Sequence, residues 1–329
     1  MELTRDCVQA LLQSLLKDRT VEITESLQSL WSGYGQIFRC YSNALGASYV
    51  VKMVSPPTEI NHPRGWNTDI SHRRKLISYD VESRFYQNVA NTTDSFCKVP
   101  KLLASHQTDE YTLLVLEDLD DLGFDVRIDE QRGNALVLAL RWLAYFHAKF
   151  SQTKVDGLWD TGSYWHLATR QDEWNTMPDG ELKQMASAID KRLNQANFKT
   201  LIHGDAKFAN FCFHHQGNDI AAVDFQYVGY GSPVKDLAYL VAGCLSEQQL
   251  ETQESFVLST YLTYLQQAFE FYDIKTDFNQ ITDEIRTLYC FGWADFYRFL
   301  VGWNPQSHKM SQYMKNQTQR CLSLLREEN

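Results

Sequence analysis

The sequence lacks the features that mark secreted and membrane-spanning chains. None of its apolar runs approaches the roughly 20 residues that a bilayer span requires. The amino terminus, MELTRDCVQALLQSLLKDRT, has no basic segment ahead of an uninterrupted apolar stretch, so it is not a signal peptide. The seven cysteines are scattered and include no Cys-x-x-Cys pair, which favours reduced thiols over disulfides or a zinc site. We therefore expect a soluble, cytoplasmic protein.

Positive charge is also scarce. The 329 residues include 31 Lys and Arg against 41 Asp and Glu, which gives a formal net charge of −10. Such a chain repels phosphate backbones and anionic lipid, so neither nucleic acid nor a membrane surface is expected as a partner. The sequence predicts no oligomeric state. Apolar residues, at 44%, are plentiful enough for two domains of roughly 100–200 residues each.

Strand-like and helix-like patterns follow one another along the chain. Apolar residues recur at helical spacing over residues 1–17, and the pattern is strand-like from about 27 to 54. Residues 58–77 are polar and locally basic, which favours a solvated loop. SYDVESRFYQNVA then predicts a helix with Ser78 as its N-cap, and KLLASHQTDEYTLLVL predicts a hairpin. Helical periodicity dominates from Asn134 onward.

One stretch, LIHGDAKFANFCFHHQGNDIAAVDFQ over residues 201–226, combines acidic residues with a second predicted hairpin. FCFH and IAAV are arms of equal length, and HQGND between them supplies a turn. When the arms pair antiparallel, Asn210 before the first arm and Asp224 after the second meet at the same end. Their amide and carboxylate oxygens are hard donors that can share a magnesium ion. Asp205 and Lys207 lie on the loop just before, so a polar site is predicted here.

The same stretch resembles the catalytic loop of protein-kinase-like enzymes, in which His-Arg-Asp is followed by an Asn five residues after the Asp and then by Asp-Phe-Gly. Here the pattern reads His-Gly-Asp at 203–205, then Asn210, then Asp-Phe-Gln from Asp224. The resemblance implies that Asp205 accepts the proton of an acceptor hydroxyl and that Lys207 steadies the transferring phosphoryl group. It also implies that Asn210 and Asp224 hold Mg²⁺ beside ATP.

Departures from the protein-kinase pattern indicate a kinase of small molecules. Gly204 replaces the usual Arg, and only eleven residues separate Asp224 from Asp236, which is too few for a long activation segment. DFQYVGYGSPVKDLAYL is similar instead to aminoglycoside phosphotransferases, choline kinases and, most closely, the ecdysteroid-kinase-like group. In that group the residue at Asp236 would brace the catalytic loop. The resemblance covers roughly residues 27–245.

The resemblance also implies an α+β architecture, the two-lobed protein-kinase-like fold. A small, mostly antiparallel β lobe with helices, residues 1–117, would bind ATP. A larger, mainly helical lobe, residues 118–329, would carry catalysis and acceptor binding. The acidic stretch EDLDDLGFDVRIDE begins at this predicted boundary.

The first third of the chain supplies the expected ATP-binding parts. Lys52 lies in the apolar strand YVVKMV, where a buried ammonium needs a partner, and Glu82 is a natural one. The resemblance assigns this pair to the ATP phosphates, and it assigns the phosphate-covering turn to SGYGQIFR, with Gly33 and Gly35. The hinge that would meet the adenine consists of Glu117, Asp118 and Leu119.

The sequence constrains the acceptor less. CFGWADFYRFLVGW, residues 290–303, concentrates aromatic rings in a predicted helix, namely Trp293, Phe296, Tyr297, Phe299 and Trp303. Core packing explains such rings as well as an acceptor site does. In an acceptor site the rings would favour a bulky apolar alcohol, whereas Asp295 beside them could help to cage a quaternary ammonium. Two alternatives stay open: a kinase of a cationic acceptor such as choline or an aminoglycoside, and a nucleotide-binding pseudokinase that acts as a scaffold.

Overall fold

The computed structural model describes residues 4–30, 33–56, 69–307 and 309–328. The described residues form two compact units, the first drawn from residues 1–92 and 99–125 and the second from residues 93–98 and 126–329. The assignment of ATP binding to one lobe and of catalysis to the other stays a prediction. No described helix is both long enough and apolar enough to cross a lipid bilayer.

The first unit is built around a five-stranded sheet. Its elements are α1 (Arg5–Leu15), β1 (Val21–Ser29), β2 (Gly35–Ser42), β3 (Ala47–Val54), α2 (Asp69–Asn88), β4 (Leu102–Gln107) and β5 (Thr112–Glu117). The strand order is β1-β2-β3-β5-β4, and each neighbouring pair is antiparallel. Val8 and Leu12 on the apolar face of α1 share one core with Phe38, Val51 and Val115 of the sheet. The predicted amphipathic first helix and the predicted β4–β5 hairpin are therefore confirmed.

The second helix begins earlier than predicted. α2 starts at Asp69, so part of the predicted loop over residues 58–77 is helical, while residues 57–68 lie outside the described residues. Ser78 is not an N-cap but lies inside the helix, where its hydroxyl donates to the carbonyl of Lys75 at 2.7 Å. The prediction failed because the first turns of α2 are rich in polar and basic residues and show little apolar periodicity.

The first strand also begins earlier than predicted. The strand-like pattern was expected from about residue 27, but β1 starts at Val21. β1 is an edge strand, and Val21 is its only buried residue. An exposed strand of this kind has too few apolar residues to produce a readable alternation.

The second unit is mainly helical. Its helices are α3 (Ala135–Lys149), α4 (Gln171–Thr176), α5 (Glu181–Gln184), α6 (Ala186–Asn194), α7 (Val234–Cys244), α8 (Glu247–Phe271), α9 (Phe278–Trp303) and α10 (Gln312–Glu327). Its strands are β6 (Thr200–Ile202), β7 (Phe211–Phe213), β8 (Ile220–Ala222) and β9 (Gly229–Gly231). The helices predicted after Asn134 are confirmed, and together with the small antiparallel unit they confirm the predicted α+β class.

Two short antiparallel pairs frame the stretch that the motifs singled out. The predicted hairpin is present as β7 and β8, in which Phe211 pairs with Ala222. A second pair, β6 with β9, was not predicted, because its strands are three residues long and one of them reads Gly-Tyr-Gly. β6 ends just before His203 and β9 begins just after Val228, so this pair joins the two ends of the stretch.

Candidate active site

A buried carboxylate holds the loop that follows β6. Asp236, in the first turn of α7, accepts hydrogen bonds from the backbone N–H groups of His203 at 2.7 Å and Gly204 at 2.9 Å. Behind it, the imidazole of His147 lies 3.2 Å from the same carboxylate and 2.9 Å from the hydroxyl of Tyr261. A buried N–H without a partner costs about 1–3 kcal/mol, so these bonds fix the loop backbone. The predicted bracing role of Asp236 is confirmed.

The second residue of the motif has to be glycine. Gly204 has a φ of +78°, and a Cβ at this position would lie 2.1 Å from the carbonyl oxygen of Tyr227. The carbonyl of Gly204 accepts the N–H of Tyr164 at 3.1 Å, and the N–H of Ser163 donates to the carbonyl of Tyr227, also at 3.1 Å. The chain around residues 163–164 therefore packs directly against the loop, where an arginine side chain would have no room.

The imidazole of His203 connects the loop to the strand that leads to Asp224. Its Nε2 donates to the carbonyl of Val223 at 3.0 Å, and its Nδ1 accepts the N–H of Asp205 at 3.3 Å. This pattern corresponds to an imidazole that carries its proton on Nε2. The ring also packs against Phe225, with 4.7 Å between the ring centroids. One buried side chain thus fixes the backbone beside both candidate acids.

The hairpin brings Asn210 and Asp224 to the same end, as its equal arms predicted. Just beyond the last pair of the hairpin, the N–H of Val223 donates to the carbonyl of Asn210 at 2.9 Å. The side-chain nitrogen of Asn210 donates to the backbone oxygen and to the carboxylate of Asp205, both at 2.9 Å. A side-chain amide that is used in this way through its nitrogen leaves its oxygen available to accept or to bind a metal ion.

Asp224 adopts a backbone conformation that is uncommon for residues other than glycine. Its φ is +67°, in the left-handed region, where Asp and Asn are among the better tolerated side chains. Its carboxylate accepts a hydrogen bond from the side-chain amide of Gln226 at 2.6 Å. Backbone strain of this kind costs about 1–3 kcal/mol and is concentrated at functional sites.

Asp205 and Lys207 form the charged pair of the loop. The Nζ of Lys207 lies 3.1 Å from the carboxylate of Asp205. The charge of Asp205, and after it that of Asp224, raises the pKa of Lys207, although burial opposes this effect. The Lys207 side chain is nevertheless 35% exposed, so its ammonium stays charged and accessible to a ligand.

The oxygen donors of this site match the ligands that magnesium prefers. Asn210 contributes an amide oxygen and Asp224 a carboxylate, and Mg²⁺ is usually bound by one or two carboxylates together with water and substrate phosphates. Among the described residues, no group of three or more His, Cys, Asp or Glu side chains is arranged to hold a metal. The amide oxygen of Asn210 and the carboxylate of Asp224 fit a magnesium ion that is bound jointly with phosphate oxygens.

In the first unit, the predicted Lys52–Glu82 pair is present. Lys52 on β3 and Glu82 on α2 are both buried, and their Nζ and carboxylate lie 2.6 Å apart. The ring of Tyr79, one turn earlier on α2, lies under the ammonium at 5.7 Å. A buried lysine has to be paired in this way. The pairing is confirmed, and its role toward ATP stays a prediction.

The glycine turn before β2 contains one glycine that the fold requires. Gly35 has a φ of +135°, and a Cβ there would lie 2.1 Å from the carbonyl oxygen of Met53 on the neighbouring strand. Gly33 has a φ of +75° but open space where a Cβ would stand. Close strand packing therefore accounts for Gly35, and binding of phosphate by this turn stays a prediction.

One carboxylate of the predicted hinge, that of Asp118, is hydrogen-bonded to other residues of the first unit. Asp118 is buried and accepts hydrogen bonds from the guanidinium of Arg39 at 2.6 Å and the hydroxyl of Ser48 at 2.9 Å. Glu117 ends β5, and its N–H donates to the carbonyl of Lys101 at 2.9 Å. The carbonyl of Leu119 accepts backbone N–H groups from the turn that follows. These contacts explain the fixed shape of the segment and leave its contact with adenine a prediction.

The aromatic segment of α9 is packed mainly as core. Trp293, Phe296 and Phe299 are fully buried. Asp295 is buried as well, with Lys235 at 3.2 Å and Arg298 at 2.7 Å. Although burial alone would raise the pKa of Asp295, these two cations lower it to about 2. A carboxylate held in this way is not available to cage a quaternary ammonium, so that part of the prediction is wrong.

Two tyrosines beside Asp205 were not singled out from the sequence. Burial raises the pKa of Tyr164, with the charge of Asp205 as the next cause, and burial together with Tyr164 and Asp205 raises the pKa of Tyr239. The two rings pack edge to face at 5.3 Å. Tyr239 lies in α7, within the segment DFQYVGYGSPVKDLAYL that the motifs included, but Tyr164 reaches the loop only through tertiary contacts that no local pattern reveals.

Partly buried rings continue from Tyr164 along the same surface. Tyr227 lies 5.8 Å from Tyr164, and Trp159 stacks on Tyr227 at 6.3 Å with 11° between the ring planes. The indole nitrogen of Trp159 donates to the carbonyl of Gln226 at 2.8 Å. All three rings are half-buried, unlike the core rings of α9. They form an aromatic surface beside the Asp205 loop.

The chain is similar to solved structures of kinases and phosphotransferases, although only at low identity. No curated protein is similar enough to the chain to count as a match. Among solved structures, an aminoglycoside-3'-phosphotransferase of type VIII is 14% identical, with a TM-score of 0.47, and covers 87% of this chain and 100% of its own. The ethanolamine kinase of Plasmodium vivax is 10% identical, with a TM-score of 0.47, and covers 94% of this chain and 85% of its own. Likenesses this low carry no argument about function.

A family model gives the more specific result. Residues 162–273 match the ecdysteroid kinase-like family. This range contains the Asp205 loop, the β7–β8 hairpin and α7. The resemblance that the motifs predicted, to the ecdysteroid-kinase-like group of small-molecule kinases, is thus confirmed over residues 162–273.

Proposed function

We propose that this protein is an ATP- and Mg²⁺-dependent kinase that transfers the γ-phosphoryl group of ATP to a hydroxyl group of a small molecule. The arrangement around Asp205 carries the proposal. Asn210 and Lys207 both contact its carboxylate, at 2.9 and 3.1 Å. Asp236 binds the backbone of this loop, and Asp224 lies just after the β7–β8 hairpin. A base, a cation and two oxygen donors are the groups that phosphoryl transfer needs from a protein.

In the proposed reaction, Asp205 acts on the acceptor. The acceptor oxygen forms a bond to the γ-phosphorus, and the bond from that phosphorus to the bridging oxygen breaks, so that ADP leaves with this oxygen. The hydroxyl proton passes to the carboxylate of Asp205 and then to solvent. The contacts from Asn210 and Lys207 hold the carboxylate in place for this transfer.

Four polar side chains act on the phosphates, two of them through the magnesium ion. Lys207, which the neighbouring acids keep charged, balances negative charge on the transferring phosphoryl group. Asn210 and Asp224 hold the magnesium ion through their side-chain oxygens. When bound, the ion neutralises phosphate charge and orients the chain of phosphates. Lys52, paired with Glu82, is assigned to the phosphates of ATP, with Gly33 and Gly35 in the covering turn and Glu117–Leu119 at the adenine.

For the acceptor we favour a bulky apolar alcohol. The rings of Trp159, Tyr164 and Tyr227, which are partly buried, offer an apolar surface beside Asp205. The carboxylate of Asp295, which a cationic acceptor would need in α9, is already held by two buried cations. The name of the matched family, which refers to ecdysteroid kinases, points to the same class of acceptor.

A scaffold without activity is the alternative from another functional class. Pseudokinases usually lack the catalytic acid, the metal-binding acid or the buried lysine. Here Asp205, Asp224 and Lys52 are all present, and the lysine has its partner. No observation on the described residues favours the scaffold.

A screen of a metabolite library for acceptor-dependent release of ADP tests the proposal. The library includes hydroxylated steroids and terpenoids, choline and aminoglycosides, and each reaction is repeated with the Asp205→Ala variant. We expect ADP release with at least one hydrophobic alcohol, in wild type only. Release that is best with choline or an aminoglycoside would overturn the acceptor class but not the kinase. ATP binding without turnover of any acceptor would favour the scaffold.

A further inference from the structure

Lys309, in the link between α9 and α10, contacts Tyr239 on α7 near the loop of Asp205. Its Nζ lies 4.6 Å from the centroid of the Tyr239 ring. Lys309 and Lys207 both lie close to Gly243, one turn further along α7. A Cβ added to Gly243 would lie 3.7 Å from the Nζ of Lys309 and 3.9 Å from the Cβ of Lys207. The two lysines therefore approach the same small area of α7.

The ammonium of Lys309 has an aromatic partner but no anionic one. Within the ranges that the structure describes, its Nζ takes part in neither a hydrogen bond nor an ion pair, although the side chain is half-buried. Burial lowers the pKa of Lys309; the charge of Asp205 opposes this effect, and that of Lys207 adds to it. A partly buried cation beside a second cation is an environment that a bound oxyanion would stabilise.

Another lysine of the second unit shows what a purely structural role looks like. Lys235, at the start of α7, is buried and lies 3.2 Å from Asp295, whose carboxylate also binds Arg298. That lysine is neutralised by the protein itself. Among the described residues, no carboxylate forms an ion pair with Lys309, so its charge is available to a ligand.

We propose that Lys309, together with Lys207, binds the oxyanion of the phosphoryl group that the protein transfers. The inference rests on the proposed kinase function and extends its site to the link between α9 and α10. In the proposed reaction Asp205 contacts the acceptor hydroxyl. A cation near Asp205 and Lys207 therefore lies close to the position where the phosphoryl group is transferred from ATP to the acceptor. The oxyanion is supplied either by the γ-phosphate of ATP or by the phosphate monoester of the product. An ammonium binds both as a point charge.

The position of Lys309 has a consequence for the acceptor. A second ammonium near Asp205 repels an acceptor that carries positive charge close to its hydroxyl, because like charges in a partly buried site interact strongly. Neutral and anionic alcohols meet no such repulsion.

Calorimetry on the full chain compares the affinities for ATP and for ADP, and the difference gives the contribution of the terminal phosphoryl group. Lys309→Met keeps the apolar stem and removes the charge, and we expect it to weaken ATP binding about tenfold, equivalent to about 1.4 kcal/mol, with ADP binding unchanged. Lys309→Arg retains the charge and should retain most of the ATP affinity. Lys315→Met, at an exposed lysine on α10, is the matched control and should change neither affinity.

Titration of inorganic phosphate onto the ADP-saturated protein separates the two sources of the oxyanion. If Lys309 holds the phosphoryl group only after transfer, Lys309→Met weakens phosphate binding and leaves ATP binding unchanged. Unchanged affinities for both ATP and phosphate would overturn the proposal. Equal losses for ATP and ADP would also overturn it, because they would mark Lys309 as structural. A wild-type protein that binds neither nucleotide would contradict the proposed function as well.

Discussion

The loop and hairpin over residues 203–226 and the aromatic segment of α9 over residues 290–303 are both rich in residues that can carry chemistry, but they lie in opposite environments. Around Asp205, the fully buried side chains of His203 and Asp236 bind backbone groups, while Lys207 stays 35% exposed. In α9 the acid and the large rings are buried together, and Asp295 is neutralised by its neighbours. A candidate site is therefore distinguished by what its buried groups hold in place rather than by the number of reactive residues.

Removal of the proposed base should have the largest effect on turnover, and the variant should still fold. Asp205→Ala is expected to lower acceptor-dependent turnover by about 10³-fold or more, within the range found for general acid–base catalysis. ATP binding should persist, because this side chain acts on the acceptor. The rate is measured with the best acceptor from the screen, and unfolding is followed in parallel. Turnover within tenfold of wild type would contradict the role of Asp205.

Removal of the buried acid of α9 should show the reverse pattern. Asp295→Ala leaves Lys235 and Arg298 as buried cations without their partner, and we expect a loss of about 3–5 kcal/mol in the free energy of unfolding. Denaturant titration measures this loss. Glu270→Ala, at an exposed acid on α8, is the control and should change stability by less than about 0.5 kcal/mol. An Asp295 variant with wild-type stability would mean that the cluster does not support the core.

The pH dependence of stability should follow from the same carboxylate. The pKa of Asp295 is lowered to about 2 in the folded protein, from an ordinary value of 3.8. The stabilisation from this shift, about 2 kcal/mol, is fully present above pH 4 and is lost as the pH falls through 2. The difference in unfolding free energy between wild type and Asp295→Asn should shrink over this interval. A difference that stays constant from pH 5 to pH 2 would be incompatible with the lowered pKa.

Aromatic rings beside the Asp205 loop and rings within α9 should respond differently to substitution. Tyr164→Leu is expected to raise the KM for the acceptor by about tenfold, equivalent to about 1.4 kcal/mol, with a smaller change in stability. Phe296→Leu should instead lower the unfolding free energy by roughly 1–2 kcal/mol, as a shape change in the core does, and leave the KM unchanged. Similar KM values for wild type and Tyr164→Leu would remove this ring from the acceptor surface.

The parts of the site that could be predicted from the sequence are local. The spacing from Asp205 to Asn210, the equal arms of the hairpin and the partner for Lys52 each depend on short segments and on the need to pair a buried charge. Gly204 was recognised as a departure, but the reason for it, a carbonyl of Tyr227 in the space of a side chain, is a tertiary contact.

The parts that were missed depend on contacts between distant segments. Tyr164 meets Gly204 through a backbone hydrogen bond across forty positions of the sequence, and Lys309 reaches α7 from a link that carries no motif. The same limit applies to the fold, where an exposed edge strand such as β1 and the polar first turns of α2 give no periodic signal. Conversely, the rings of α9 drew attention by composition, and only packing shows that most of them are core.

The most direct test of the central claim, that the Asp205 loop and its hairpin bind magnesium with ATP for phosphoryl transfer, needs no knowledge of the acceptor. ATP binding to wild type and to Asp224→Ala is measured by calorimetry, once with Mg²⁺ and once with excess EDTA. We predict that Asp224→Ala weakens binding of Mg·ATP about tenfold or more but leaves binding of metal-free ATP nearly unchanged, because the carboxylate acts through the ion. Equal losses in the two conditions would contradict the account.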